Sequence, residues 1–307
     1  MWILYVILGI IAFLIILYLI IIFLIFGFAT SRFNKIKTIE NDKILSQETK
    51  EKVKKSMLFL ENVKKEEVSI LSDDNLKLYG NLYQIDNPRA CIILFHGWKT
   101  YGLYDFLQFT EFLIRNNINV LIVTQRAHQQ SEGKRIGFGI LERYDVKNWV
   151  KFVENKYPNL PIIIEGISMG CSSVLYASNL ELSNNVKFII GDCGFTSPYD
   201  EFEYLCKKYK APYKLILPGV RLVFKLFAHY EIKTNTKSCL EHSKYPILFI
   251  HGKSDTFVPF YMGEENFNAC KSEKEMLSVE DAEHGLSYIV QKEMCERVIL
   301  AWIEKYC

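Results

Sequence analysis

The feature that most restricts the fold is an apolar run leading directly into a Gly-x-Ser-x-Gly motif. Residues 162–164 are all Ile, residues 166–170 read Gly-Ile-Ser-Met-Gly, and a segment of helical character follows at 172–179. Glycines on both sides of a serine allow a turn between strand and helix that a Cβ would block. This is the context that a nucleophile elbow requires. The pattern predicts Ser168 as a nucleophile; the alternative is an ordinary Gly/Ser loop.

Short apolar runs alternate with helical segments through the rest of the chain. The runs have the length and composition of strands buried on both faces of a parallel sheet; they cover 91–95, 119–123, 161–165, 186–190, 246–250 and 275–279. The predicted helices cover 103–115, 141–157, 169–179 and 286–305. Two earlier strands, 67–71 and 76–85, predict an antiparallel hairpin at one sheet edge. We therefore expect an α/β fold with a doubly wound, mostly parallel sheet and an antiparallel N-terminal hairpin.

The interval from 195 to 245 is too long for a simple crossover between two strands. It contains a polar helical segment at 200–208 and an apolar stretch at 212–229. Two interpretations are open. One is an ordinary buried helix followed by a loop, and the other is a helical cap at 196–244 that offers apolar surface to a substrate.

The N-terminal segment predicts a membrane anchor. Residues 2–28 contain no charged side chain and consist almost entirely of Ile, Leu, Phe, Val and Tyr. A bilayer span takes about 20 such residues, so we expect one transmembrane helix within residues 1–30. A cleaved signal peptide is disfavoured because the start has no Lys or Arg and the apolar core exceeds roughly 7–15 residues. A connector at 31–65, with an amphipathic helix at 43–65, then leads to an α/β domain at 66–307.

Charge and cysteine usage bear on location and partners. Basic residues follow the apolar segment and slightly favour a cytoplasmic domain under the positive-inside rule; they are Arg32, Lys35, Lys37, Lys43 and Lys50. The eight cysteines include no C-x-x-C pair, which favours free thiols and argues against a zinc site. The net charge of +2, without a basic stripe interleaved with aromatic residues, argues against a nucleic-acid partner.

A serine nucleophile needs a general base, and the base needs an acid that orients it. His284 is the predicted base because, of the six histidines, it alone follows the last predicted strand. Asp255 is the predicted acid, since it lies in the loop beyond the strand at 246–250, where open α/β sheets bind their ligands. Asp192 is the rival acid at another strand end; its alternative role is a hydrogen bond that stabilises a loop.

An acyl-transfer reaction also needs donors for the developing oxyanion. The Met169 amide at the helix start is one predicted donor. The Trp98 amide is the other, in the turn His96-Gly97-Trp98 after the first parallel strand. His96 and His251 each precede a glycine at a strand end, so both are expected at the catalytic rim. No metal or cofactor is expected.

Together, His-Gly-Trp at 96–98, Gly-x-Ser-x-Gly at 166–170, Asp255 and His284 resemble the α/β-hydrolase superfamily over about residues 66–305. The group resembled is the serine-aminopeptidase-like and membrane-anchored bacterial hydrolases, whose Arg-x-His-Gly-x-Ser-x-Gly segment is echoed at 126–133. Gln129 stands where a glycine is usual, and Thr124 stands where relatives often have Asp. Both differences are expected to affect substrate fit more than chemistry. The resemblance implies hydrolysis of esters, thioesters or peptides without a metal or organic cofactor.

These observations predict a membrane-anchored serine hydrolase that acts by acyl transfer. The anchor and the apolar stretch at 212–229 favour a lipid-like or other acyl ester as substrate. Two alternatives stay open: an exo- or acyl-peptidase with the same triad, and a membrane-tethered binding protein with an inactive triad.

Overall fold

The computed structural model describes residues 1–34 and 47–307. The strands are β1 (Lys64–Leu71), β2 (Lys77–Gln84), β3 (Ala90–Phe95), β4 (Ile118–Thr124), β5 (Ile162–Ile167), β6 (Val186–Asp192), β7 (Ile247–Gly252) and β8 (Lys274–Val279). The helices are α1 (Trp2–Thr30), α2 (Gln47–Glu61), α3 (Gly102–Arg115), α4 (Glu142–Lys156), α5 (Met169–Ala177), α6 (Pro198–Lys208), α7 (Tyr213–Val223), α8 (Lys237–Leu240), α9 (Phe260–Ala269), α10 (Ser287–Val290) and α11 (Lys292–Tyr306).

One sheet holds the eight strands in the order β1-β2-β4-β3-β5-β6-β7-β8. β1 pairs with β2 and β2 pairs with β4 in antiparallel register, which places the hairpin at one edge. The pairs from β4 to β8 are all parallel. The predicted α/β class, the mostly parallel sheet and the antiparallel N-terminal hairpin are confirmed.

Helices cover both faces of the sheet because its central strands are apolar on both sides. Every residue of β3, β5 and β7 is buried. One apolar cluster joins the sheet to α3 and α11 through residues such as Leu113 and Trp302. Another joins it to α4 and α5 through Trp149 and Val174. The apolar strands are therefore buried on both faces of the sheet, as is usual for parallel strands.

Two predicted helices have different boundaries in the structure. The connector helix predicted at 43–65 ends at Glu61, because residues 64 and 65 belong to β1; its first residues, 43–46, lie outside the described residues. The closing helix predicted at 286–305 is broken into α10 and α11 at Gln291, whose ψ of 53° is not helical. Both differences lie at element ends, where periodicity is a weak guide.

The interval from 195 to 245 forms three helices above the sheet. α6 and α7 are followed by a π-helical turn, Phe224–Ala228, and then by the short α8. Apolar residues of this region pack with α1 and with Met169 in a third cluster. The interval therefore has the form of a helical cap near the carboxyl ends of the strands.

The N-terminal helix α1 is exposed over its first half and packs on the domain over its second half. Residues 2–17 are all exposed, whereas Ile22 and Phe26 are buried against the cap. Within the described residues, α1 is the one helix whose length and composition suit a membrane span, and a signal sequence would meet the same criterion. Few of its residues are buried, unlike those of a core helix.

Candidate active site

Ser168 occupies a strained turn between β5 and α5. Its φ of 56° and ψ of −118° are uncommon for a residue with a side chain, and its amide donates to the Asp192 carbonyl at 2.8 Å. The flanking glycines explain how the turn closes. A Cβ on Gly166 would lie 2.2 Å from the Gly170 carbonyl, and one on Gly170 would lie 1.9 Å from the Phe95 carbonyl oxygen. Both glycines of the motif are therefore required, because neighbouring backbone lies too close to leave room for a Cβ.

The structure brings Ser168, His284 and Asp255 into one hydrogen-bonded chain. The Ser168 Oγ lies 2.8 Å from His284 Nε2, and His284 Nδ1 lies 2.7 Å from Asp255 Oδ2. An ionised carboxylate can only accept hydrogen bonds, so the imidazole proton is on Nδ1. Nε2 is then the acceptor for the serine hydroxyl. This is the tautomer that a general base needs.

The carboxyl group of Asp255 is buried and fully hydrogen-bonded. Its Oδ1 accepts the amides of Phe257 and Val258, both at 2.9 Å, while His251 Nε2 lies 3.4 Å from Oδ2. Burial alone would raise the pKa of Asp255, but the hydrogen bonds from His251 and His284 outweigh it and lower the pKa to about 2. Asp255 is therefore ionised at neutral pH.

Asp192 lies close to this chain without joining it. Its Oδ1 is buried and has no hydrogen-bond partner within residues 1–34 and 47–307. Burial raises the pKa of Asp192 to about 6, although His251 and His284 oppose the rise and Asp255 adds to it. The hydrogen bond of His284 goes to Asp255, and the contact of Asp192 with the elbow is made by its backbone carbonyl.

The turn after β3 lies directly against the serine. A Cβ on Gly97 would lie 3.5 Å from Ser168 Cβ. Asp105 holds the turn, since its Oδ2 accepts the Gly97 amide at 2.8 Å. Neither the Trp98 nor the Met169 amide has an acceptor in the described part of the chain. Two unengaged amides thus lie next to the serine, as an oxyanion hole requires.

A buried histidine pair supports this turn from behind. The rings of His96 and His128 lie 4.7 Å apart, and His128 Nε2 accepts the Lys99 amide at 3.2 Å. Each Nδ1 donates to a backbone carbonyl, and each Nε2 accepts a backbone amide, from Gln125 to His96 and from Lys99 to His128, so both imidazoles are neutral. Burial lowers the pKa of His96 to about 4 and that of His128 well below its usual value. His96 was expected at the catalytic rim. The supporting role of His128 was not predicted from the sequence.

The Arg-x-His segment at 126–128 has a structural role that was not predicted from the sequence. Arg126 is buried and forms an ion pair with Asp145 at 2.7 Å and another with Asp74 at 2.9 Å. Gln129 has a φ of 42°, which explains why glycine is usual at its position. Its backbone carbonyl accepts a hydrogen bond from Arg32, just beyond the end of α1. The loop at 126–133, which we call the rim loop, is thereby bonded to the residues that follow α1.

The end of α1 also contacts the turn after β3. Trp98 Nε1 donates to the Ala29 carbonyl at 2.9 Å, and the Trp98 ring meets Phe28 edge-on at 5.6 Å. The Lys99 ammonium donates to the Phe28 carbonyl and to Ser31 Oγ. These donors satisfy carbonyls that a helix end leaves unpaired. No local sequence signal pointed to this contact, because it joins segments far apart in the chain.

One group of ligand-type side chains coincides with the site. Atoms of Cys193, Asp255 and His284 lie within 4.8 Å of one another. Burial raises the pKa of the Cys193 thiol well above its usual value, so the thiolate that a metal prefers is disfavoured. Both nitrogens of His284 are already used in the chain to Ser168 and Asp255. The donor set therefore suits a hydrogen-bonded triad better than a metal.

Comparisons with known sequences bear on the part of the chain that holds Ser168. The family model described as "Serine aminopeptidase, S33" matches residues 86–191, which include the turn after β3 and the elbow at 166–170. The uncharacterised protein YqkD of Bacillus subtilis is 28% identical over 222 residues, covering 71% of this chain and 72% of that protein. The uncharacterised protein YfhR of Escherichia coli K12 is 23% identical over 226 residues, covering 71% and 73%.

Solved structures share the fold. The esterase Pf2001 of Pyrococcus furiosus has a TM-score of 0.66 at 20% identity, over 90% of this chain and 99% of that one. The esterase EaEST of Exiguobacterium antarcticum has a TM-score of 0.59 at 16% identity, over 77% and 99%. At such identities the likeness establishes the fold alone. Together with the family match, it supports an α/β-hydrolase superfamily assignment and a hydrolase.

Proposed function

We propose that this protein is a membrane-anchored serine hydrolase that cleaves carboxylic esters or thioesters, with Ser168, His284 and Asp255 as its triad. The observation that carries the proposal is the chain of contacts at 2.8 Å and 2.7 Å that links the serine to the carboxylate. The strained backbone of Ser168 supports it, since strain of this kind persists where function requires it.

The chemistry follows from the proton positions. His284 Nε2 takes the proton of Ser168 as Oγ attacks the acyl carbon, and Asp255 stabilises the imidazolium that forms. The amides of Trp98 and Met169 bind the oxyanion. Collapse of the intermediate returns the proton from His284 to the leaving alcohol or thiol. Water, activated by the same histidine, then releases the acid and restores the serine.

The substrate class is proposed from the surroundings of the site. Phe257 packs on His284 with ring centroids 5.0 Å apart, and Phe138 stacks on Trp98 at 6.5 Å. Aromatic surface of this kind suits an acyl chain better than a charged group. We propose that α1 spans a membrane, with the domain on the cytoplasmic side, which would bring the site to acyl esters held in lipid. The esterases among the structural neighbours support the same class.

Replacement of the nucleophile tests the proposal. We expect Ser168→Ala to abolish both turnover of short and medium p-nitrophenyl esters and labelling by a fluorophosphonate, because among the described residues only the Ser168 hydroxyl is bonded to His284. Ser254→Ala is the matched control; Ser254 is exposed beside Asp255, and its loss should leave both signals intact. Labelling that survives in Ser168→Ala would disprove the assignment.

A second candidate is a serine peptidase with the same triad. The family match is described as a serine aminopeptidase, and that description favours it. Faster turnover of aminoacyl-arylamides than of p-nitrophenyl esters by the full-length protein would select this function. A full-length protein that never reacts with the fluorophosphonate would instead indicate a tethered binding protein.

A further inference from the structure

The cap helix α7 presents apolar side chains to solvent along one face. Leu215, Leu222 and Leu226 are 61%, 56% and 56% exposed. Their spacing of seven and four residues places them on the same side of a helix that continues into the π-helical turn. The opposite side packs into the domain, where Leu217 and Val220 are buried. The leucines therefore form a contiguous outer face, which we call the leucine face.

This face lies beside α1. Tyr18 Oη donates to the Leu215 carbonyl at 3.0 Å, which joins the start of α7 to the middle of α1. Further along, Phe23 meets Phe227 at 5.3 Å and Phe26 meets Phe224 at 5.0 Å. The two helices thus run side by side from Tyr18 to Phe26, about 12 Å along the axis of α1.

The outward surface of α1 remains apolar over this stretch. Leu19, Ile20, Leu24 and Phe28 are 45%, 50%, 67% and 67% exposed. A bilayer that ended at Tyr18 would leave about 15 Å of this helix surface in water, up to Phe28. Because the exposed side of α1 is continuous with the leucine face, an environment that covers one also covers the other.

Basic side chains border the leucine face. Lys210, Lys214 and Lys225 are exposed, and Lys214 and Lys225 adjoin Leu215 and Leu226 in sequence. Nearby acidic groups are paired within the domain: Glu203 with Lys207, and Glu231 with Arg221. Lysines can keep their stems in apolar surroundings and place the ammonium at headgroups. A leucine surface edged by lysines matches the boundary of an anionic bilayer.

We propose that the leucine face of α7 is embedded at the boundary between acyl chains and headgroups of the bilayer that α1 enters, and that Lys210, Lys214 and Lys225 contact anionic headgroups. The inference rests on the proposed membrane anchor and deepens the proposed function. Phe224 of the cap packs on Phe138, which stacks on Trp98, so the embedded cap is in contact, through Phe138, with the turn after β3. Acyl esters dissolved in the bilayer would then reach Ser168 without crossing water.

Quenching of an introduced tryptophan by brominated lipids tests the contact. Full-length Leu222→Trp is placed in nanodiscs of phosphatidylcholine and phosphatidylglycerol with bromines at shallow or deep acyl positions. We expect its added emission to be blue-shifted and quenched at least twofold by the shallow bromines. Leu71→Trp is the matched control, because Leu71 is 66% exposed at the end of β1 and should not be quenched. Equal quenching of the two would overturn the proposal.

The same samples separate this inference from the function on which it rests. The share of bromine quenching that Trp2→Phe removes reports insertion of the anchor, since the chain has four tryptophans, and fluorophosphonate labelling reports the triad. A quenched Trp2 with an unquenched Leu222→Trp would defeat the embedded cap alone. An unquenched Trp2 would defeat the anchor, while labelling would still test the hydrolase independently.

Substrate presentation supplies a second test. We expect Leu222→Glu/Leu226→Glu to reduce kcat/KM at least fivefold for a long-chain ester dissolved in the bilayer, while p-nitrophenyl acetate turnover stays unchanged. Lys210→Glu/Lys214→Glu/Lys225→Glu should reduce turnover of the bilayer ester only when phosphatidylglycerol is present. Equal losses on both esters, or no loss on either, would contradict the proposal.

Discussion

Two buried aspartates beside His284 have pKa values shifted in opposite directions because their hydrogen bonds differ. Asp255 accepts bonds from two amides and from His284, whereas Asp192 leaves Oδ1 unpartnered within the described residues. The first arrangement stabilises a carboxylate, and the second favours a neutral acid. Proximity to the histidine therefore does not by itself identify the orienting group.

The proposed role of Asp255 predicts a large and specific loss of activity. We expect Asp255→Asn to lower kcat on esters by about 10⁴-fold, because an amide does not hold the imidazole in the tautomer that accepts the serine proton. Asp192→Asn is the matched control, and its kcat should change less than about tenfold. Steady-state ester hydrolysis measures both. A greater loss in the Asp192 variant would transfer the orienting role to that residue.

Asp192 also predicts a pH dependence of stability. Burial raises its pKa from 3.8 to about 6, so folding favours the protonated carboxyl. The stability from this proton is present below about pH 3.8 and is lost as the pH rises through about 6, a change of about 3 kcal/mol. We expect Asp192→Asn to remove this loss from the free energy of unfolding, measured by denaturant titration on both sides of the window. An unchanged pH slope would contradict the expectation.

At the scale of elements, the end of α1 and the turn after β3 form one unit. Trp98 Nε1 donates to the Ala29 carbonyl at 2.9 Å, and these two residues lie far apart in the sequence. Ser31 forms an isolated β-bridge with Arg135, and Phe33 forms another with His128 of the rim loop. The end of α1 is thus bonded to the loops around Ser168, and it contributes to their positions.

Trp98→Phe tests this coupling. The ring contacts with Phe28 and Phe138 are kept, but the hydrogen bond to Ala29 is lost, so the turn that carries the proposed oxyanion donor is less well held. We expect kcat on soluble esters to fall roughly fivefold with a smaller change in KM. Trp302→Phe is the matched control, since it removes a similar hydrogen bond, to Glu275 at 2.6 Å, outside the site. Equal kcat values in both variants would show that the contact is only structural.

At the scale of the whole molecule, α1 is part of the folded unit and not only a tether. Ile22 and Phe26 are 0% and 4% exposed, and both belong to the cluster that contains Met169. Burial of two such side chains contributes about 4 kcal/mol. The catalytic domain therefore depends on the second half of α1 for its apolar contacts.

Two truncations separate tethering from folding. Removal of residues 1–27 should lower the Tm in detergent and promote aggregation, because it uncovers apolar residues of the cap such as Val223 and Phe224. Removal of residues 1–15 deletes only exposed side chains and should leave the Tm unchanged in the same detergent. Equal Tm values for the two truncated proteins would show that α1 is a simple tether.

The sequence by itself determined the α/β class, the sheet with its edge hairpin, the elbow at 166–170 and the long apolar helix at the N-terminus. These features are local: strand runs, helix periodicity and the glycines of a tight turn each depend on a few neighbouring residues. Element ends were less certain, as the break at Gln291 shows, because packing decides where a helix stops.

Only the tertiary structure decided which carboxylate bonds to His284, and what covers the second half of α1. Asp192 ends β6 and Asp255 follows β7, so both lie at the carboxyl ends of buried strands, and only the folded loops decide that His284 bonds to Asp255. The contacts from α1 to the cap and to Trp98 join segments far apart in the chain, so no local pattern encodes them. They follow from which apolar faces are left uncovered once the sheet has formed.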